Sequence, residues 1–263
     1  MRTDNTILLK DGRRLGFAEY GDPSGTPILH FHGSGGSRLE HPPEEGTLEG
    51  IRYISIDRPG HGLSDHAPHY QMLDWPDDVI QLADDLNIER FYALGWSAGG
   101  PRVLACAFKY PERMIAGALV AGFAPPNRPN ALAGLPLPNR LLIWTGQRLP
   151  WLAALQFRLM ARLINGDAER ASRTILSSAP AGDKAVLEKP ENLAMLLPDI
   201  REGYKNGWRG PFQDGYLQVT PWGFSLHNIQ VRIDIWQGEA DVNVPVHSGE
   251  YLRDTLPNAS AMF

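Results

Sequence analysis

The sequence predicts an α/β fold: a mostly parallel sheet with helices on both faces and a block of helices inserted late in the chain. Three observations carry this expectation. Strand-like and helix-like runs alternate from the start to about residue 125, the pattern that builds parallel sheets. From about 126 to 225 no convincing strand occurs, only apolar helical stretches broken by proline and glycine. The strand pattern then resumes in "VRIDIWQG". The chain therefore divides into a first core segment (1–125), a helical lid-like insertion (126–225) and a second core segment (226–263).

Taken in order, "ILLKDGRRLGFAEYG" holds two short β-like runs around Asp11-Gly12, which signals a hairpin. "PILHFHG" and "RYISIDRPG" are short apolar or alternating runs that stop at glycine or proline, as core strands do. "DWPDDVIQLADDLNI" opens with acidic residues and Pro76, then sets Val79, Ile80, Leu82, Ala83 and Leu86 on one helical face. "FYALGW" reads as a strand and "AGGPRVLACAFKYPER" as the helix after it. "MIAGALVAGFAP" is an apolar strand expected to run until Pro125. In the insertion, "RLLIWTG", "WLAALQFRLMARLI" and "ENLAMLLPDIREGY" read as helices, and "PVHSGEYLRDTL" as the helix that follows "VRIDIWQG".

Composition narrows the function classes. With 43% hydrophobic and 21% charged residues the 263-residue chain is ordinary globular material. A net charge of −5 offers no basic footprint for nucleic acid or an anionic membrane. No apolar run approaches the ~20 residues that span a bilayer, and the N-terminal residues lack the apolar core of a signal peptide. The single cysteine, Cys106, lies in an apolar helical pattern and reads as a buried small hydrophobe. A cytoplasmic protein acting on a small molecule, without cofactor or metal, is the resulting expectation.

Gly95-Trp96-Ser97-Ala98-Gly99 fits G-x-S-x-G, between an apolar strand and a helix start rich in small residues. A serine on so tight a turn is held in strained backbone geometry with its hydroxyl exposed, which suits a nucleophile. The ordinary alternative is a glycine-rich turn that cradles phosphate, but the Lys-Ser/Thr of a P-loop is absent.

With "HFHGSGGSR", "DRPGHGLSD", "LGWSAGG" and "TPWGFSLHNIQVRIDIWQGEADVNVPVHS" in this order, the chain resembles the α/β-hydrolase superfamily, of the serine hydrolase or esterase type, along nearly its whole length. The resemblance implies that Ser97 is the nucleophile. It implies that the backbone amides of Ser34 and Ala98 form the oxyanion hole, and that Asp241, rather than its neighbour Glu239, orients the catalytic histidine. Serine at the elbow argues against dehalogenase or epoxide hydrolase chemistry, which uses aspartate there. A hydrophobic acyl substrate is suggested by Trp144, Trp151, Phe157, Met160, Leu196 and Trp208 in the insertion.

One partner is missing from this picture. The resemblance places the histidine after the eighth strand, and "SAMF" resembles the start of that strand, so the histidine is expected beyond residue 263 and the last strand and helix are expected to be incomplete here. None of the eight histidines offers a convincing substitute, His247 and His32 being the nearest candidates. The reading is thus a carboxylic-ester hydrolase whose 263 residues alone are inactive or weakly active. The alternatives are a non-catalytic ligand-binding relative and an amide or iminopeptidase-type hydrolase. Loss of sheet cover would favour pairing with another protomer.

Overall fold

The architecture, seen in a computed structural model that describes residues 2–42, 48–179 and 181–263, centres on an eight-stranded sheet. The Asp11-Gly12 turn, with Gly12 at φ +86, joins β1 (Arg2–Leu8) to β2 (Arg14–Gly21) as an antiparallel hairpin. β2 also pairs antiparallel with β4 (Ile51–Ile56), and every later pairing is parallel. β3 (Thr26–Phe31) lies between β4 and β5 (Phe91–Trp96), and the sheet continues through β6 (Met114–Val120), β7 (Ile233–Trp236) and β8 (Ala259–Met262). β6 stops short of the expected Pro125 because Ala121 turns to φ +49 while its amide donates to the Trp236 carbonyl.

One face of the sheet is well covered. Helices α1 (Trp75–Asp85), α2 (Gly100–Lys109) and, late in the chain, a helix over Val246–Thr255 share a single core with the inward residues of the strands. Val79, Leu82 and Ala83 of α1 are fully buried, and Ile80 and Leu86 pack against them, as the helical spacing requires. Cys106 is buried within α2. The opposite face is different. Trp96, Val120, Trp236 and Met262 are partners in register across β5, β6, β7 and β8, and all four are exposed.

Between β6 and β7 the chain forms α3 (Leu137–Arg148), α4 (Pro150–Ile164), α5 (Ala168–Ser178), α6 (Ala181–Leu187), α7 (Pro190–Tyr204) and α8 (Arg209–Val219). The Val246–Thr255 helix is thus α9. α3 and α4 both pack on α8, and α4 on α7, so these helices form a layer of their own beside the carboxyl ends of the strands. Proline stands in the first turn of α3, α4 and α7, where a missing N–H costs nothing.

Candidate active site

Ser97 follows directly on the last residue of β5 and adopts φ +50, a left-handed conformation that a side-chain-bearing residue enters only under constraint. The constraint is the turn itself. Ser97–Gly99 form one 3-10 turn, and α2 begins at Gly100. A Cβ on Gly95 would stand 2.6 Å from the Gly99 carbonyl group, and one on Gly99 only 1.9 Å from the Phe31 carbonyl oxygen. The two glycines of G-x-S-x-G are therefore dictated by backbone contact between strand, turn and the neighbouring strand. Ala98 is buried beneath the turn, while Ser97 remains partly exposed.

Ser97 opens on a cavity of about 550 Å³, whose wall also includes Gly33 and Ser34 from the loop after β3. The Gly33 amide is taken by Glu40 Oε2 at 3.1 Å, whereas the exposed Ser34 has no amide acceptor among the described residues. Of the apolar insertion residues, Phe157, Met160 and Leu196 line this cavity. Trp144, Trp151 and Trp208 do not. Trp144 and Trp151 are 48% and 67% exposed, and Trp208 packs on the Phe212 ring and under Arg209. Three of the six residues thus border the cavity and three do not, because helical spacing identifies an apolar face but not the neighbour it meets.

Asp241 lies in the loop between β7 and α9. Its Oδ1 accepts the amides of Asn243 (2.8 Å) and Val244 (2.9 Å), and its Oδ2 accepts from Gln237 Nε2 at 3.3 Å. Asn243, which Asp241 holds in this way, lines the cavity; Asp241 itself does not. Glu239 is exposed. Ser97, Ser34 and the Asp241 loop thus border one cavity, with Ala98 directly beneath it.

All eight histidines belong to the described residues, and none of their imidazoles is hydrogen-bonded to Ser97. Both ring nitrogens of His32 are occupied: Nδ1–H donates to the Gly33 carbonyl at 2.8 Å, and Nε2 accepts the Arg58 amide at 3.3 Å. Burial, reinforced by Arg58, holds its pKa well below the usual imidazole value. His247 is likewise engaged, with the Ala133 carbonyl at 2.7 Å and Arg128 at 3.1 Å. His30 bonds Glu40 and His41 the Pro42 carbonyl, and His66 is exposed. Burial depresses His61 to about 4. His69 and His227 are exposed, and His227 sits in a turn before β7, at the other end of the sheet from Asp241.

The sequence gives less warning of a buried ionic cluster behind the site. Asp214 of α8 accepts from Arg58 Nε (2.7 Å) and Nη2 (2.9 Å) and from Arg102 Nη2 (2.7 Å). Arg58 also donates to the carbonyls of His32 and Gly33, and Arg102 to that of Ala98. One carboxylate of the inserted helices therefore steadies both segments that carry Ser34 and Ala98. Burial alone would lift the Asp214 carboxyl, but Arg102 and Arg58 outweigh it and hold its pKa at about 2. Burial draws Arg102 down to about 10. The one sequence signal was an arginine inside the apolar run "GGPRVLACA".

Among the described residues, no group of three or more His, Cys, Asp or Glu side chains could hold a metal ion, and no helix is long and apolar enough to cross a membrane.

Comparison with known proteins agrees with this architecture. A 2-hydroxymuconate semialdehyde hydrolase of Pseudomonas putida is 24% identical over 257 residues, covering 96% of this chain and 83% of that one. Against three other curated relatives the chain spans only 30% to 42% of their length. Among solved structures, an enol-lactonase from Burkholderia xenovorans LB400 superposes with a TM-score of 0.70 at 19% identity, over 98% of this chain and 90% of that one. An esterase from Rhodococcus sp. ECU1013 does so with a TM-score of 0.63 at 18% identity, over 99% and 89%. At such identities the likeness speaks to the fold. Residues 26–262 match the family described as alpha/beta hydrolase fold, and to that family the chain belongs.

Proposed function

We propose that the protein is a serine hydrolase acting on a carboxylic ester or related acyl bond, with Ser97 as nucleophile. The observation that carries this reading is the left-handed Ser97 at the strand–helix junction, opening on a large, mostly apolar cavity beside the Ser34 loop. Helices α3–α8 (residues 126–225 in the wider sense) act as the lid, and Phe157, Met160 and Leu196 receive a hydrophobic acyl or leaving group.

In this mechanism the Ser97 Oγ attacks the acyl carbon and its proton passes to an imidazole. The amides of Ser34 and Ala98 take the charge that develops on the carbonyl oxygen. The proton then leaves with the alcohol, and water repeats the sequence to release the acid. Asp241, fixed by three hydrogen bonds, orients that imidazole. None of the eight histidines stands at Ser97, so the proposal assigns the base to a histidine beyond residue 263. That none of the eight rings is hydrogen-bonded to Ser97 equally favours a second reading, a ligand-binding relative without turnover.

Hydrolysis of p-nitrophenyl butyrate separates the two. The 263-residue chain should be slow, and a chain continued through its natural coding sequence should be faster by orders of magnitude, with activity lost on Ser97→Ala. Turnover that survives Ser97→Ala would refute the nucleophile, and saturable binding without turnover in either form would favour the ligand-binding reading.

A further inference from the structure

We infer that the cavity selects against anionic ligands, and that Glu40 and Asp199 are the residues that turn carboxylate-bearing compounds away. The inference rests on the proposed acyl substrate for its biological meaning, but it concerns binding alone.

Among the described residues of the cavity wall, two carry carboxyl groups, Glu40 and Asp199, and none is a lysine, arginine or histidine. The two carboxyls meet at Gly36. A Cβ built there would stand 2.9 Å from Asp199 Oδ2 and 3.1 Å from Glu40 Oε2, so both oxygens face the same small space, which the glycine leaves open. Each is held in place from behind. Asp199 Oδ1 accepts from the Ser37 amide (2.8 Å) and hydroxyl (2.6 Å), and Glu40 is fixed by His30 Nε2 (2.7 Å) and the Gly33 amide (3.1 Å). Asp199 is 3% exposed; burial, then the neighbouring Glu40, holds its carboxyl well above the usual carboxylate range.

Three cations behind the wall are already engaged, while Arg128, which lines an adjoining pocket together with Phe123, Leu135 and Asn243, has no carboxylate partner among the described residues. Arg58 and Arg102 are bound to Asp214 and to loop carbonyls, and Arg38 to Asp4, Asp57 and Glu202. His30 lies behind Glu40, outside the cavity wall. An incoming carboxylate would therefore leave water for an apolar enclosure whose described wall offers it a carboxyl pair and no positive side chain. An uncharged ligand meets no such penalty, and an ammonium group gains two acceptors beside the Ser34 loop.

Three ligands of one shape test this: 4-phenylbutyramide, 4-phenylbutylamine and 4-phenylbutyrate, titrated at pH 8 by calorimetry. The carboxylate is expected to bind at least about tenfold more weakly than the amide, and the amine at least as well as the amide. Glu40→Gln keeps the hydrogen-bonding shape and removes the charge. It should narrow the amide–carboxylate gap at least about threefold, with Glu40→Ala as the second variant should the first not fold. Equal affinity of amide and carboxylate, a gap unchanged in both variants, or no binding of any of the three would overturn the inference. None of the three is an ester, so charge selectivity can stand while ester hydrolysis fails, and the reverse.

Discussion

Removing the Asp214 carboxylate is the sharpest perturbation the fold offers. Arg58 and Arg102 are each 2% exposed, and between them they give Asp214 three hydrogen bonds of 2.7 to 2.9 Å. Asp214→Ala leaves both guanidinium groups buried beside unmet donors. Breaking a buried pair in this way costs about 3–5 kcal/mol, far more than the pair's net worth against a well-packed apolar substitute. Asp214→Asn keeps the shape and one acceptor oxygen, so its cost should be smaller, about 2 kcal/mol, comparable to the depression of the carboxyl from 3.8 to about 2. The sign of the pH dependence follows from that direction. A depressed folded-state value contributes stability that is complete above the unfolded value of 3.8 and fades as pH falls through about 2. The deficit of Asp214→Asn relative to the parent should therefore be full at pH 7 and shrink in that acid window. Urea unfolding followed by circular dichroism and tryptophan fluorescence measures it. A loss below about 1 kcal/mol for Asp214→Ala, the scale of an exposed ion pair, would refute the reasoning.

Three further outcomes are expected. Gly99→Ala, whose new methyl would meet the Phe31 carbonyl oxygen at 1.9 Å, should lose solubility or at least about 2 kcal/mol, while Gly182→Ala, with nothing within 4 Å, should be neutral or slightly stabilising in the same denaturation assay. Burial pushes the Cys106 thiol far up, so Ellman's reagent should find no reactive thiol in the native protein and one after unfolding in urea. The exposed row Trp96, Val120, Trp236 and Met262 should bind anilinonaphthalene sulfonate, and Trp236→Ser with Met262→Ser should cut that fluorescence by half or more without lowering the unfolding midpoint appreciably.

How far the sequence could be read depended on the range of the interactions involved. The elbow was legible because its requirement is local: Gly95, Ser97 and Gly99 sit within five residues, and the contacts that exclude side chains there are between backbones of the turn and an adjacent strand. The hairpin at Asp11-Gly12, the face of α1 and the β7–α9 connection were legible for the same reason, each being set by turn chemistry or by periodicity within one element. The orientation of the inserted helices was not. Phe157 and Trp151 lie in one helix, and both are apolar, yet one lines the cavity and the other faces outward. Only the packing of α4 on α7 and α8 decides between them. The same holds for Asp214, which meets Arg58 and Arg102 across 156 and 112 residues of chain, and for Glu40 and Asp199, which meet across an α-carbon that belongs to neither.

These long-range pairs change how the site itself is understood. Local pattern points to the proposed nucleophile, the two proposed amide donors and a carboxylate loop, but amides stabilise an oxyanion only if they do not move as charge develops. The loop bearing Ser34 has little regular structure to hold it; what fixes it is Arg58 on the carbonyls of His32 and Gly33, with Glu40 on the Gly33 amide. Arg58 is in turn fixed by Asp214 from α8, so the inserted helices and the loop bearing Ser34 share one buried charge. Movement of α8 away from the sheet would have to break that pair or carry the loop with it. Under the proposed mechanism, a displacement of α8 would therefore disturb the alignment of the Ser34 amide, whereas Ser97, held by contacts between backbones, would stay where the turn puts it.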